Sequence, residues 1–351
     1  MQNTLISRLQ SINGHVLVTG HTGFKGTWLT MLLDKLGIEW SGISLHPEPD
    51  SLYNLINKRN KNEYFFDIRD YDCLERTIRS INPEYVVHLA AQPLVLNSYL
   101  EPRLTFETNV LGTVNLLDVL VSNSIPKQIV IATTDKVYRK KKFNKSYIET
   151  DALGGKDPYS WSKVGAEAAI GAWQQISKIQ GGPKIVSARA GNVIGGGDSS
   201  ENRLLPDLVK GFKNNSTITI RNPNSTRPWQ HVLDSLSGYL LILATETKGE
   251  AFNFSNNSKS LTVKKVSEIA QMTWKNESKI TFEDKQDTLE TKNLSLNSTL
   301  ARKKLNWNSR WDQKNAVIDT ILWWKHVSNK LIKPIEACER DIEFLINGEI
   351  K

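Results

Sequence analysis

Residues 15–36 read HVLVTGHTGFKGTWLTMLLDKL, and the fold class follows from them. His15 to Thr19 is short, apolar and β-branched, which predicts a strand. Gly20-His21-Thr22-Gly23-Phe24-Lys25-Gly26 then spaces three glycines as GxxGxxG, and apolar periodicity continues to Leu36. Strand, tight turn and helix in that order form the unit that cradles a pyrophosphate. The glycines let the backbone approach the ligand, and the helix N-terminus meets its charge with N–H groups and a dipole. Gly37 is the expected helix stop.

Working outward, further strands are expected at Trp40 to Leu45, Tyr64 to Ile68, Tyr85 to Leu89, Gln128 to Thr133 and Ile185 to Ala190. Helical patterns separate them at βαβ spacing, so the expected fold is α/β, a doubly wound parallel sheet of the dinucleotide-binding type. After Gly191 the alternation breaks into GNVIGGGD, RLLPDLVKGF and TITIRNPNSTRPWQHV, pieces of a smaller lobe over the cleft. Val263 to Trp274 and Asp312 to Val327 carry helical periodicity. Trp307, Trp311, Trp323 and Trp324 are read as packing residues rather than a base-stacking platform. The expected division is a cofactor domain over 1–190 and, over 191–351, a mostly substrate-binding lobe with segments returning to the core.

With 39% hydrophobic and 23% charged residues among 351, disorder is not the default. The first thirteen residues lack a signal-peptide pattern and no apolar run approaches transmembrane length, so a cytoplasmic protein without membrane attachment is expected. Cys73 and Cys338 are too far apart for a CxxC metal spacing and give no disulfide framework; no metal site is expected. The formal charge of +8 is dispersed apart from Arg139-Lys140-Lys141-Lys142, which reads as a solvated loop. Nucleic acid is therefore not an expected partner, whereas an anionic nucleotide is.

Tyr159 and Lys163 stand one helical turn apart in YSWSK, so on a helix they share a face and a ligand. A tyrosine acts as a base near neutral pH only if neighbouring positive charge, from a lysine and an oxidised nicotinamide ring, favours the phenolate. The fifth strand ends in Thr134-Asp135-Lys136, at the sheet edge where open α/β folds bind ligands. Thr134 could hydrogen-bond a substrate hydroxyl while Asp135 and Lys136 exchange protons with it; a strand-end turn with a surface ion pair is the plainer reading. An acid at the end of the second strand commonly holds the adenosine ribose, and this chain has His46 there, with Glu48 and Asp50 nearby. The choice between NAD and NADP is open on these residues. Asp67 is a candidate adenine contact or a helix cap.

VTGHTGFKGTWL, HLAAQPLV, TNVLGTVNLL, TTDKVY, DPYSWSK, RAGNVIGGGD, RLLPDL and IRNPNSTRPWQHVLD together resemble the extended short-chain dehydrogenases acting on nucleotide sugars, and within them the CDP-glucose 4,6-dehydratases. The resemblance runs nearly end to end. It implies a Rossmann-type sheet with a smaller C-terminal substrate-binding lobe, bound NAD, and a homodimer. The third residue of Thr134-Asp135-Lys136 matters, because the dTDP-glucose enzymes resemble Thr-Asp-Glu there. By resemblance Tyr159 is the base at the sugar C4 hydroxyl, Thr134 and Lys163 assist, and Asp135 with Lys136 handles loss of water across C5 and C6.

The resemblance also places cofactor contacts on Gly20, Thr22, Gly23, Phe24 and Gly26 of the turn. Further contacts fall on His46, Asp67 and Ile68, on Leu89, Ala90 and Ala91, and on Asn109, Tyr159 and Lys163. Gln92, Asn192, Arg203, Arg227 and His231 are implied to line the nucleotide-sugar site, arginine suiting a diphosphate. Three positions depart from relatives: His46 replaces an acid, Trp161 replaces Asn, and Leu96-Asn97 replaces an Arg-Leu pair. The implied reaction is an internal redox cycle yielding CDP-4-keto-6-deoxyglucose. A sugar-nucleotide 4-epimerase, a dehydratase of another nucleotide-hexose and a catalytically silent NAD(P)-sensing protein are the alternatives.

Overall fold

The computed structural model describes residues 4–123, 125–141, 145–256, 260–283 and 295–348. Seven strands form one sheet: β1 (Val16–Thr19), β2 (Trp40–Ser44), β3 (Glu63–Phe65), β4 (Tyr85–His88), β5 (Gln128–Thr134), β6 (Lys184–Ala190) and β7 (Phe252–Phe254). Their spatial order is β7-β6-β5-β4-β1-β2-β3, with every neighbouring pair parallel. The chain order reverses at β1, and that switch point opens a crevice at the carboxyl ends of β1 and β4.

Burial explains the strand sequences. Val16, Leu17 and Val18 are fully buried, as are Val86, Val87, Ile129 and Val130, because helices cover both faces of a parallel sheet. One core cluster joins Val16, Val18 and Val130 to Trp28 and Leu29 of the helix Phe24–Leu36, and to Leu236 and Leu240 of the helix Val232–Leu243. A second, on the opposite face, joins Leu17, Val86 and Ile129 to Leu116 and Leu120. The tryptophans expected to pack do so: Trp307, Trp311, Trp323 and Trp324 are all buried.

Two strands differ from the sequence reading. The expected strand at Tyr64 to Ile68 runs instead from Glu63 to Phe65, and Asp67 folds into a turn that accepts the Arg69 N–H. Phe252–Phe254 adds a seventh strand beside β6, a return from the C-terminal part of the chain to the sheet. Residues 102–122 also depart from expectation. The continuous helical stretch Pro102–Ser122, of 21 residues, is long and apolar enough to cross a membrane by length and composition, and half of it is buried within the fold. Arg139 and Lys140 of the basic run are exposed and Lys141 pairs with Asp151; Lys142 lies outside the described residues.

Candidate active site

The glycine turn is built by steric necessity at two positions. Gly20 has a φ of +75°, and a Cβ there would lie 2.7 Å from the Ala90 nitrogen. A Cβ on Gly26 would lie 2.0 Å from the Gly20 carbonyl oxygen, so the first helical turn sits directly on the loop. Gly23 is the N-cap of the helix Phe24–Leu36, with no side chain capping it and no acidic residue in the first turn. That N-terminus is left to an anion. Thr22 ties the turn to the end of β2, its hydroxyl 2.7 Å from Ser44 Oγ and donating to the Leu45 carbonyl. These residues fit a dinucleotide.

Beyond the turn, His46 is exposed and stacks on Phe65 at 4.8 Å. Asp67 accepts two bonds from the Arg69 guanidinium, which hold its carboxyl below the usual range against the burial that would raise it. Ile68 is buried against Gly112, whose lack of a Cβ makes the room. Leu89 and Ala90 donate their N–H groups to the Thr19 hydroxyl, which also meets His88 Nδ1 at 2.6 Å. Ala91 follows in the same loop after β4, half-buried.

Asn109 sits in a π-helical turn, Glu107–Leu111, a local widening frequent at functional sites. Its amide accepts from Gln92 N–H at 2.8 Å and donates to the Gln92 carbonyl and to Ser162 Oγ. Ser162 in turn donates to the Tyr159 carbonyl. Asn109 therefore spends its polar atoms locking the 90–92 loop to Ser162, three residues beyond Tyr159. Gln92 likewise directs its side chain to Thr105 and to the Leu94 N–H.

The helix Pro158–Gln180 starts at Asp157, whose carboxylate accepts from Ser160 N–H at 2.8 Å and Ser160 Oγ at 2.6 Å, with Pro158 at the first helical position. This anchors Tyr159 and Lys163 on one face. Burial pushes Tyr159 up to about 12, against a Thr134 hydrogen bond and the Arg203 charge that lower it, while Asp135 and Asp157 raise it further. Lys163 donates to the Ala132 carbonyl at 3.2 Å and is pushed down to about 8 by burial and by Lys25, against Glu167. The expected lowering of the tyrosine by its neighbours is thus outweighed by burial in the protein alone.

Thr134 ends β5 and donates to Asp135 Oδ1 at 3.1 Å. Asp135 is no surface ion pair: it is 2% exposed, its Oδ2 has no partner among the described residues, and burial raises it against Lys136, Thr134, Arg227 and Lys25. Its neutral acid form is correspondingly favoured. Lys136 Nζ lies 5.8 Å from the Tyr159 ring centre. Thr134, Asp135, Lys136 and Tyr159 are thus brought together, with Arg203 acting on Tyr159 and Arg227 on Asp135.

Asn192 joins this region through its carbonyl, which accepts from Gln230 N–H. His231 does not line it. Its ring is fully buried, stacked on Trp311 at 4.0 Å and edge-on to Trp28, and its Nδ1 caps the helix Val232–Leu243. A polar residue before a helix serves as a cap, and that role took the histidine into the core. Sequence reading missed Lys25. Its ammonium reaches Tyr239 Oη at 3.2 Å and is pushed down to about 8 by burial and by Arg203, against Asp135. A lysine inside a glycine turn was the available signal. A groove of about 420 Å³ lined by Trp40, Tyr53, Arg59 and Glu63 holds none of the catalytic set.

The family model described as GDP-mannose 4,6 dehydratase matches residues 17–320. This chain belongs to that family. A CDP-glucose 4,6-dehydratase from Salmonella typhimurium is 38% identical to this family member, over 88% of this chain and 90% of that one. A dTDP-glucose 4,6-dehydratase from Streptomyces venezuelae, solved with NAD and TYD bound, aligns with a TM-score of 0.78 at 23% identity, covering 92% of this chain and 99% of that one. An epimerase from Methanothermobacter thermautotrophicus aligns with a TM-score of 0.82 at 21% identity, covering 94% and 97%. Those two structures speak for the dehydratase-epimerase fold.

Proposed function

We propose that this family member is an NAD-dependent CDP-glucose 4,6-dehydratase, a hydro-lyase forming CDP-4-keto-6-deoxyglucose. The observation that carries the reading is Asp135, a buried carboxyl with one free oxygen set between Thr134 and Lys136 and within electrostatic reach of Arg227 and Lys25. The Salmonella typhimurium CDP-glucose dehydratase supports the substrate assignment.

The glycine turn and the uncapped N-terminus at Gly23 would hold the NAD pyrophosphate, and Lys163, buried on the same helix as Tyr159, would assist in the cofactor site. NAD, when bound, supplies the oxidising power at C4 and its return at C6. Tyr159 takes the C4 hydroxyl proton, with Thr134 sharing the hydrogen bond. A C4 ketone acidifies the C5 proton, which Asp135 or Lys136 can then accept, and the protonated partner assists departure of the C6 hydroxyl as water. Burial raises the Asp135 carboxyl, which makes it a better proton acceptor than an exposed aspartate.

Incubation with CDP-, dTDP-, UDP- and GDP-activated hexoses, read by the alkaline absorbance of a 4-keto-6-deoxy product, tests the assignment. Product from CDP-glucose alone is expected; epimerised sugar without loss of water would overturn it. A homodimer belongs to the proposal. Phe106, Leu111, Ile176 and Ile179, exposed on the helical stretch Pro102–Ser122 and the helix Pro158–Gln180, support a self-association face, and light scattering measures it. Cytosolic residence is also proposed, and the free thiols of Cys73 and Cys338 support it.

A further inference from the structure

Three neighbouring strands carry a row of polar residues at the carboxyl end of the sheet. Thr133 of β5 pairs in register with Arg189 of β6, and Arg189 with Asn253 of β7; all three are buried. Glu167 meets this row from the helix Pro158–Gln180, one turn beyond Lys163 and buried as well. Its Oε1 accepts from Thr133 Oγ1 at 2.6 Å, Ser187 Oγ at 2.5 Å and Arg189 Nε at 2.8 Å, and its Oε2 accepts from Arg189 Nη2 at 2.7 Å. Burial would raise the Glu167 carboxyl, but the Arg189 guanidinium and the two hydroxyls hold it below the usual range, so the pair is charged. Arg189 Nη1 donates onward to Tyr138 Oη at 2.9 Å and to the Glu149 carbonyl, and Tyr138 donates to Asn253 Oδ1 at 2.6 Å.

Thr133 immediately precedes Thr134, and Tyr138 immediately follows the 3-10 turn Asp135–Val137. Both ends of the Thr134-Asp135-Lys136 segment are therefore tied to one buried ion pair, whose acid stands on the helix that carries Tyr159 and Lys163. Lys163 adds a second tie between helix and strand, donating to the Ala132 carbonyl at 3.2 Å. Tyr159 has its own anchors in the Asp157 cap and in Ser98 Oγ, which accepts the Tyr159 N–H at 3.1 Å. A buried ion pair adds little stability over well-packed apolar side chains, but its hydrogen bonds are directional and hold a register. We propose that Glu167 and Arg189 are positioning residues, which hold Asp135 and Lys136 in register with Tyr159 so that a sugar oxidised at Tyr159 already lies against the groups that remove water. This rests on the roles proposed above for those three residues. Arginine is needed at 189, because its fork meets Glu167 and Tyr138 at once, whereas a lysine ammonium is a single point charge.

The test mixes NAD-loaded enzyme with CDP-glucose and follows both enzyme-bound NADH and the 4-keto-6-deoxy product. Glu167→Gln and Arg189→Lys are each expected to lower kcat about 10-fold with KM within about threefold of the wild type. Bound NADH at steady state should rise about fivefold, because hydride transfer at the anchored Tyr159 persists while the elimination has lost its register. The double variant should lose no more than either single one, since the two residues act as a unit. Wild-type kcat in a folded variant overturns the proposal, as do losses that multiply in the double variant. A fall in kcat without build-up of NADH also overturns it, being the mark of a general loosening of the fold. Should both single variants fail to fold by circular dichroism, Tyr138→Phe decides, because it removes one hydroxyl at the far end of the segment and leaves the ion pair; bound NADH about twofold above the wild type is expected, and an unchanged level refutes the proposal. Wild-type enzyme that forms no 4-keto product from CDP-glucose refutes the dehydratase reading itself, and the positioning role falls with it; the variants, set against an active wild type, refute the positioning role alone.

Discussion

Replacing Gly26 by alanine probes the reading of the glycine turn with one methyl group. The added Cβ would stand 2.0 Å from the Gly20 carbonyl oxygen and 2.6 Å from His21 Cα, where ordinary contact begins at 3.4 Å. Moving from 2.0 to 3.4 Å requires about 1.4 Å of separation between the turn and the first turn of the helix Phe24–Leu36. Both neighbours are backbone, so no side chain can rotate away. Overpacking of this kind costs about 1–3 kcal/mol of stability. The larger effect falls on the cofactor, because the same displacement moves the helix N–H groups away from the pyrophosphate they should meet. A roughly 100-fold weaker NAD affinity is expected, about 2.7 kcal/mol. Isothermal titration of folded protein with NAD measures it. Gly171→Ala is the control, since a Cβ there meets nothing within 4 Å; it should leave NAD affinity unchanged and add about 0.5–1 kcal/mol of stability by helix propensity. Gly26→Ala binding NAD within threefold of the wild type, with its fold intact, would refute the close approach as the reason for this glycine.

Tyr159→Phe should abolish oxidation while leaving nucleotide-sugar binding within a few-fold, checked by product formation and equilibrium dialysis. Asp135→Asn or Lys136→Met should still oxidise C4 but lose the proton carriers of the elimination, so that enzyme-bound NADH and a 4-keto-hexose accumulate, read by NADH absorbance after mixing with CDP-glucose. A preference for NAD over NADP is expected, and tighter NADP binding by titration would assign the extra phosphate to His46 and its neighbours. Asp341 is raised from 3.8 to about 7 by burial, so its contribution to stability is present below 3.8 and is lost as pH rises through 7. Asp341→Asn removes that loss, and its melting-temperature gain over wild type should grow between pH 5 and pH 8 by the equivalent of about 2–3 kcal/mol.

What the sequence made legible was local and periodic. The turn at 20–26, the strands around it and the Tyr159–Lys163 pairing follow from spacing alone, because steric and helical geometry act over a few residues. β7 was not legible, since a three-residue strand in AFNFS carries no period and exists only because the edge of β6 is there to pair with it. His231 misled because a histidine before a helix looks the same whether it caps or binds, and only the stacking on Trp311 distinguishes them. Asp135 was undervalued for the same kind of reason. An acid beside a lysine reads as an exposed ion pair until a neighbour from a distant segment, Gly191, closes over it. Lys25 reaches Tyr239, 214 residues away in sequence, a separation no motif spans.

Charge placement gives the site its order of events. Tyr159, pushed up to about 12, is almost wholly protonated at neutral pH, so the protein alone holds a poor base. Lys163 and Lys25, both pushed down to about 8 by burial, lie much closer to neutral pH than an exposed lysine while still carrying their charge there. Burial does most of that lowering, with like charge, Arg203 on Lys25 and Lys25 on Lys163, adding to it. For Tyr159 to act as the proposed base, more positive charge would have to adjoin it, which an oxidised nicotinamide ring would supply when bound. In the proposed reaction Tyr159 would accept the C4 hydroxyl proton while that charge is present and hold it on the phenol once the charge is gone. In the proposed reaction Asp135 would serve the elimination, its affinity for a proton raised by burial rather than by the cofactor's charge. Two proton carriers with independent controls would let one crevice run the proposed redox step and elimination in sequence.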